Sequence, residues 1–160
     1  PGVFVAHALA GSVALVAGAL QLNAPLRRRH WGLHRSLGRV YVVAVWAASA
    51  GGLWSALRFD VSHLSRALFV AAAVLWFVAT TIGFDQIRRR HIARHRNWML
   101  RSFALSLFFL TFPPWVAALT AVGIARPIAY PTGLLLAWSA NLLAAECWIR
   151  TPAARPALTP

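Results

Sequence analysis

The residues of this sequence best suited to chemistry are its histidines, because neutral imidazole binds metals and haem iron. His30 and His34 are four residues apart, as are His91 and His95, and on a helix this spacing places each pair on one face. Three consecutive arginines precede each pair, and their positive charge disfavours a bound cation. Contact with lipid headgroups or helix capping is therefore the favoured interpretation of these four histidines. Haem ligation and a plain metal site are the alternatives.

His7 is a separate candidate, because it lies in the apolar segment 3–22 with no charged residue near it in sequence. An ionisable residue inside a membrane-spanning segment is often functional, and the alternative is a buried hydrogen bond to a neighbouring helix. His7, His34 and His95 are the candidate ligands of a haem b, whose presence the sequence leaves unknown.

Catalysis and metal clusters find little support in the sequence. Cys147 is the only cysteine, and Asp60, Asp85 and Glu146 are the only acidic residues. A thiolate metal cluster, a Ser/His/Asp site or a pair of catalytic carboxylates therefore has few residues to use. We predict no catalytic residues and no metal site, and the sequence favours a protein that is not an enzyme.

The elements that carry these residues are long apolar runs. Of the 160 residues 59% are hydrophobic and 12% are charged, about half the charged fraction of a soluble domain. Backbone polar groups in lipid need internal partners, so runs long enough to cross a bilayer core of about 30 Å should be helices. We predict an all-α polytopic transmembrane bundle in a single domain, 1–150, followed by a cytoplasmic tail, 151–160. Five predicted spans lie at 3–22, 40–57, 67–87, 98–122 and 132–149.

The arginines predict the orientation of these spans in a membrane. All sixteen basic residues are arginine, and the net charge is +13. The larger group flanks one side of the spans: Arg27, Arg28, Arg29, Arg35, Arg39, Arg88, Arg89, Arg90, Arg94, Arg96, Arg101, Arg150 and Arg155. The smaller group lies on the other side: Arg58, Arg66 and Arg126. The positive-inside rule therefore predicts a bacterial inner-membrane protein with the larger group in the cytoplasm and the N-terminus of this chain outside.

The same charge indicates which partners to expect. A strongly basic protein can bind nucleic acid, but here the arginines cap apolar spans and no soluble basic domain remains. We therefore predict no nucleic acid and expect anionic lipid headgroups instead. The residues predicted to contact lipid or a partner are Arg27, Arg28, Arg29, Arg88, Arg89 and Arg90.

A short motif occurs twice. Residues 27–35 read RRRHWGLHR and residues 88–96 read RRRHIARHR, which match at six of nine positions with an offset of 61 residues. Each copy ends one predicted span and begins the next, so the chain could contain two related helical hairpins plus a fifth helix, an arrangement known in membrane proteins. The alternative is two arginine-rich span ends that look alike because arginine is the only basic residue used.

Two further residues predict features of packing. Glu146 approaches the arginine-rich side from the fifth span, where an unpaired carboxylate is costly, so we predict a structural ion pair with Arg39 or Arg101. Pro113 and Pro114 remove two amide donors from the fourth span and predict a kink at that point.

Four separated segments are similar to the signature of a known family. They are the opening helix with His7, Gly11, Gly18 and Gln21, the HR-x-x-GR-x-Y motif at 34–41, the HR-x-WM-x-RS-x-AL motif at 95–105, and the W-x-x-N-x4-E motif at 138–146. Together they resemble DUF2306, a family of predicted bacterial membrane proteins. The resemblance implies a multi-helix membrane domain and suggests haem only through the placement of its histidines. Members often carry an arginine in the fourth helix, where this chain has 111–114, so an activity that needs that charge is in doubt here.

Three functional classes follow from these observations. An accessory or structural subunit, or a binding module, of a larger membrane complex is favoured by the small size, the apolar faces and the lack of catalytic constellations. A b-type haem electron-transfer protein needs two well-placed histidines and a dry pocket. A small transporter needs polar groups at mid-membrane, which the spans almost lack. We predict the first class, with other membrane-protein subunits as partners, and b-type haem binding is the alternative.

Overall fold

A computed structural model describes residues 2–151, which fold almost entirely into helices and contain no strand. The helices are α1 (Gly2–Gln21), α2 (Ala24–Arg29), α3 (Trp31–Arg58), α4 (His63–Arg88), α5 (Ile92–Ser106), α6 (Phe108–Ala121) and α7 (Arg126–Arg150). The predicted all-α bundle is confirmed. The predicted tail lies outside the described residues except for Thr151.

Four helices, α1, α3, α4 and α7, are each long and apolar enough to cross a membrane, and α5 with α6 forms a fifth candidate span that is bent. They correspond in order to the five predicted runs. Four of the five predicted spans were shorter than the corresponding helices, most clearly for α3, which begins at Trp31 rather than at residue 40. Hydrophobicity marks only the part of a helix that lies in hydrocarbon, whereas the helix itself continues through its polar turns.

The bend lies at Leu107, where the axes of α5 and α6 differ by 46°. The predicted position at Pro113–Pro114 was wrong, because both prolines lie inside α6. A proline affects the turn that precedes it, since its ring crowds the carbonyl four residues earlier. At the bend the Leu107 carbonyl accepts from the amides of both Leu110 and Thr111, at 3.0 and 3.1 Å, which tightens the first turn of α6.

Short polar segments join the helices. The Asn23 side chain caps α2 by accepting from the Leu26 amide at 2.9 Å. Ser62 caps α4 by accepting from the Ser65 amide at 3.2 Å. Between α4 and α5 the chain reverses through Arg90, whose φ of 63° is in the left-handed region. Such turns bring α1 against α3 and α4 against α5 as two hairpins.

A polar cluster ties the two hairpins together at the centre of the bundle. The Tyr41 hydroxyl lies 2.7 Å from Ser102 Oγ and 3.1 Å from Ser106 Oγ. Ser102 Oγ also lies 2.5 Å from Thr80 Oγ1. All four side chains are buried, so these hydrogen bonds satisfy hydroxyls that have no access to water. Around them pack small and aromatic residues, and a Cβ built on Gly18 would lie 2.5 Å from the Phe103 ring.

Candidate functional site

The three histidines predicted as haem ligands lie at two different ends of the bundle. We call the end that carries 27–29 and 88–90 the arginine-rich end, and the end that carries 59–62 and 122–125 the opposite end. His34 and His95 lie at the arginine-rich end, near the starts of α3 and α5. His7 lies near the start of α1, towards the opposite end.

At the arginine-rich end His34 and His95 occupy equivalent positions of the two motif copies, one on α3 and one on α5. His95 Nδ1–H donates to the Gly83 carbonyl at 2.8 Å, because a carbonyl can only accept. His34 stacks on Trp31 with ring centroids 5.4 Å apart, and Gln21 Nε2 donates to its carbonyl at 2.7 Å. The structure therefore places two of the three predicted haem ligands at the same end of the bundle and leaves His7 apart.

The other two histidines of the repeated motif stand at helix starts but do not cap them. His30 precedes α3 and His91 precedes α5, and neither side chain bonds to the amides of the first turn. His91 Nδ1 lies 3.2 Å from Gln86 Oε1, and both His30 and His91 are exposed. Their exposure beside the arginines fits the predicted headgroup contact, which stays a prediction.

His7 is held in a single orientation by α3. Its Nδ1–H donates to the Ala48 carbonyl at 2.7 Å. A Cβ built on Gly52 would lie 2.9 Å from His7 Cε1, so the glycine leaves room for the ring. In a neutral imidazole with hydrogen on Nδ1, the Nε2 atom is an acceptor. The hydrogen bond expected as the structural role of His7 is present, and it leaves the second nitrogen available.

His7 lines a cavity of about 320 Å³ inside the bundle. The cavity exists because small residues face it where larger ones would fill the space, chiefly Ala48 and Gly52 on α3 and Ala72 and Ala73 on α4. Nine of its lining side chains are aromatic, and the bend at Leu107 places the first residues of α6 against it. The arrangement is a mostly apolar chamber with few polar groups, as small-molecule sites usually are.

Four of the polar groups on its lining residues have no hydrogen-bond partner among the described residues: the indole N–H groups of Trp76 and Trp138 and the hydroxyls of Ser49 and Ser55. The two serines are 4% and 5% exposed. A serine in a helix commonly donates to the carbonyl four residues earlier, as Ser139 does to Leu135. A buried polar group without a partner costs about 1–3 kcal/mol, so each needs an explanation.

Glu146 forms an ion pair near the arginine-rich end. Arg101 donates from Nε to Oε1 at 2.5 Å and from NH2 to Oε2 at 3.2 Å, a bidentate geometry. The Arg101 guanidinium also lies 4.8 Å from the Trp98 ring centroid, and Arg150 approaches Glu146 at 3.8 Å. Arg39, the other predicted partner, is exposed on α3, and within residues 2–151 α7 packs on α4, α5 and α6 but not on α3.

The six arginines predicted to contact lipid or a partner are all exposed at the arginine-rich end: Arg27, Arg28, Arg29, Arg88, Arg89 and Arg90. One of them has a partner in the chain, since Arg89 Nε lies 2.7 Å from Asp85 Oδ2 one helical turn away. Their contact with headgroups or with another subunit stays a prediction.

The comparison with protein families decides the family. A profile described as "Predicted membrane protein (DUF2306)" matches residues 4–149, nearly the whole chain. The chain belongs to the DUF2306 family. Neither the curated proteins nor the solved structures gave a match.

The segments that resemble the DUF2306 signature meet in the fold. The motif at 34–41 meets the motif at 95–105 through Tyr41 and Ser102, and that second motif meets the closing segment through Arg101 and Glu146. These contacts join α3, α5 and α7, so part of the signature serves to hold the helices together.

Sequence reasoning missed the cavity and its two serines. In the sequence, Ala48 and Gly52 are two small residues four positions apart, a spacing that lets membrane helices approach closely. The structure shows that Ala48 and Gly52 accommodate the His7 ring. The sequence feature that could have predicted the cavity is the pair of small residues on one span together with a lone histidine on the neighbouring span.

Proposed function

We propose that this DUF2306 protein is a membrane-embedded binding module that holds a small apolar ligand in the His7 cavity, and that it is not an enzyme. The observation that carries the proposal is a cavity of about 320 Å³ lined by His7, whose Nδ1 is bonded to Ala48, and by two serines with unpartnered hydroxyls. An apolar chamber with a few fixed polar groups provides affinity through its walls and orientation through its polar atoms.

A module of this kind suits an accessory subunit of a larger membrane assembly. Large apolar side chains cover the outside of the bundle, including Val16 at 62%, Val43 at 61% and Leu143 at 65% exposed. Such faces contact lipid or the helices of another membrane protein. The exposed arginines at one end supply a charged surface for anionic headgroups.

A b-type haem is the second candidate, and the geometry limits which residues could hold it. Both His34 and His95 lie at one end, and the bond from His95 Nδ1 to a backbone carbonyl is the kind that orients a ligating imidazole. His7 cannot join either of them on one iron, because Ala48 is fourteen residues beyond His34 on α3, which is about 21 Å along a helix.

The fit of haem to these residues is incomplete. Trp31 stacks on His34, and the His7 cavity includes neither His34 nor His95 among its lining residues. An absorption spectrum of protein purified from its own membranes separates the two candidates. A Soret band lost in His34→Ala and His95→Ala would establish haem; a spectrum without that band leaves the binding module.

Binding in the cavity can be tested with a fluorinated aromatic probe and protein in lipid nanodiscs. Fluorine NMR of 4-fluorotoluene should give a bound signal with the protein that empty nanodiscs lack. Ala73→Leu fills the cavity and should weaken binding at least tenfold. Ala67→Leu, an exposed position on the same helix that does not line the cavity, should leave binding unchanged.

Two outcomes would overturn the proposal. If the native protein gives no bound signal, the cavity does not take apolar ligands. If Ala73→Leu and Ala67→Leu bind the probe equally well, the probe lies outside the cavity. The melting temperature of each variant shows that it is folded.

A further inference from the structure

We infer that the natural occupant of the His7 cavity carries an aromatic hydroxyl, the chemistry of a phenol or a hydroquinone ring, and that this hydroxyl donates to His7 Nε2. The inference rests on the proposed binding function and names the class of ligand for that same site.

The first step is the direction of the hydrogen bond. His7 Nδ1 uses its hydrogen on the Ala48 carbonyl at 2.7 Å, so Nε2 of the neutral ring can only accept. A ligand that bonds to His7 must therefore bring an O–H or N–H donor, whereas a ketone, an ether or a hydrocarbon brings none.

The second step concerns the two unpartnered serines. A hydroxyl both donates and accepts, so the oxygen of a ligand that donates to His7 can also accept from Ser49, the neighbour of Ala48 on α3. Ser55 lies six residues further, about 9 Å along the helix. A ring with a second oxygen on its far side, as in a hydroquinone, could reach that hydroxyl as well. Each contact would satisfy a buried polar group that otherwise has no partner.

The third step is the shape and chemistry of the walls. Aromatic side chains meet edge to face around the cavity, for example Phe69 with Phe112 at 6.3 Å and 78° and Phe112 with Tyr130 at 5.1 Å and 87°. His7 itself meets Phe109 edge to face at 5.4 Å. A flat ring extends such packing, whereas a flexible acyl chain does not. The volume lies near the lower limit for ligand sites, which favours a ring of modest size.

A matched set of probes tests the hydroxyl on the native protein without any mutation. The probes are 4-fluorophenol, 4-fluoroanisole, which replaces the O–H by a methyl ether, and 4-fluorotoluene. Binding to protein in nanodiscs is measured by fluorine NMR and corrected by partition into empty nanodiscs. We expect fluorophenol to bind at least tenfold more tightly than fluoroanisole. Equal binding of the two would overturn the hydroxyl inference and leave the apolar binding site intact, whereas no binding of any probe would remove the proposed function itself.

Variants then assign the preference to His7. His7→Leu should abolish the preference for fluorophenol while fluorotoluene still binds. His63→Leu, an exposed histidine that does not line the cavity, is the matched control and should keep the preference. If His7→Leu does not fold, Ser49→Ala provides the second test, and it should reduce the preference severalfold. A preference that survives in folded His7→Leu would overturn the assignment.

Extraction of the protein can show whether the ligand that carries the hydroxyl comes from the membrane lipid or from outside it. An organic extract of native protein is compared with that of Ala73→Leu by mass spectrometry. A lipid-tailed hydroquinone present in the first and depleted in the second supports a membrane source. If fluorophenol binds but neither extract contains one, a phenol from outside the lipid is supported instead.

Discussion

The Tyr41 hydroxyl lies 2.7 Å from Ser102 Oγ, and the two residues are 61 positions apart, which is the offset between the two copies of the arginine–histidine motif. His34 and His95 have the same offset and lie at the same end of the bundle, near the starts of α3 and α5. Equivalent positions of two copies meet only when they lie near an axis that relates the copies. The contact between Tyr41 and Ser102 supports the proposal that the hairpins α1–α3 and α4–α5 are related by duplication.

We predict that Tyr41→Phe destabilises the bundle by about 1–2 kcal/mol, because it removes a buried hydroxyl and leaves Ser102 and Ser106 with fewer partners. Thermal unfolding in detergent measures the loss. Tyr130→Phe is the matched control, since no hydrogen bond of the Tyr130 hydroxyl is described within residues 2–151. Equal effects of the two substitutions would show that the contact between Tyr41 and Ser102 contributes little.

The ion pair of Glu146 with Arg101 should contribute more to the stability of the bundle than the pair of Asp85 with Arg89 at the same end. Glu146→Gln removes a bidentate charge-assisted contact between α5 and α7, and we expect a loss of about 1–2 kcal/mol, since both side chains are partly exposed, at 25% and 30%. Asp85→Asn breaks an exposed pair within one helix and should cost less than about 0.5 kcal/mol. Unfolding of the two variants under the same conditions compares them. Arg101→Lys should lose part of the stability, because lysine cannot form the two parallel bonds. A Glu146→Gln variant as stable as Asp85→Asn would contradict the assignment.

The sequence predicted the number and order of the spans because bilayer thickness imposes a length that can be counted along the chain. It missed where α3 begins, because His34, Arg35 and Arg39 in the first turns of that helix interrupt its apolar residues. It placed the bend at Pro113–Pro114 although the break is at Leu107, because the effect of a proline on the preceding turns depends on what packs against them.

The candidate site was only half predictable. His7 was identified because a histidine in an apolar span is unusual. The cavity beside it depends on which small residues of α3 and α4 face each other, and that register is set by tertiary packing. Glu146 could be matched to two arginines from sequence, and only the contact of α5 with α7 selects Arg101 over Arg39.

The orientation of the bundle can be tested by cysteine labelling. Cys147 is exposed and should first be replaced by serine. Single cysteines at Leu33 and Ala93, on the arginine-rich end, should then react only after the inner membrane is made permeable. A cysteine at Val122, on the opposite end and 75% exposed, should react in intact cells with an impermeant reagent. If the impermeant reagent labels the cysteines introduced at Leu33 and Ala93 in intact cells, the orientation that the arginines predict is refuted.

Gly52 is predicted to control the position of the His7 ring and with it the preference for an aromatic hydroxyl. The Cβ of Gly52→Ala would lie 2.9 Å from His7 Cε1 and 3.2 Å from Nδ1, so the imidazole must move and its bond to the Ala48 carbonyl must lengthen. Overpacking of this kind costs about 1–3 kcal/mol, which exceeds the gain of up to about 1 kcal/mol that alanine brings to a helix. Gly32→Ala is the control, because a Cβ there has nothing within 4 Å and the substitution should be neutral or stabilising. The thermal unfolding temperature should therefore fall for Gly52→Ala and not for Gly32→Ala.

In the fluorine NMR experiment the difference between 4-fluorophenol and 4-fluoroanisole should shrink in Gly52→Ala, since Nε2 no longer points where the native ring holds it. A Gly52→Ala protein with native stability and an unchanged preference would mean that the ring is not held by this glycine, and that the orientation of His7 has another cause.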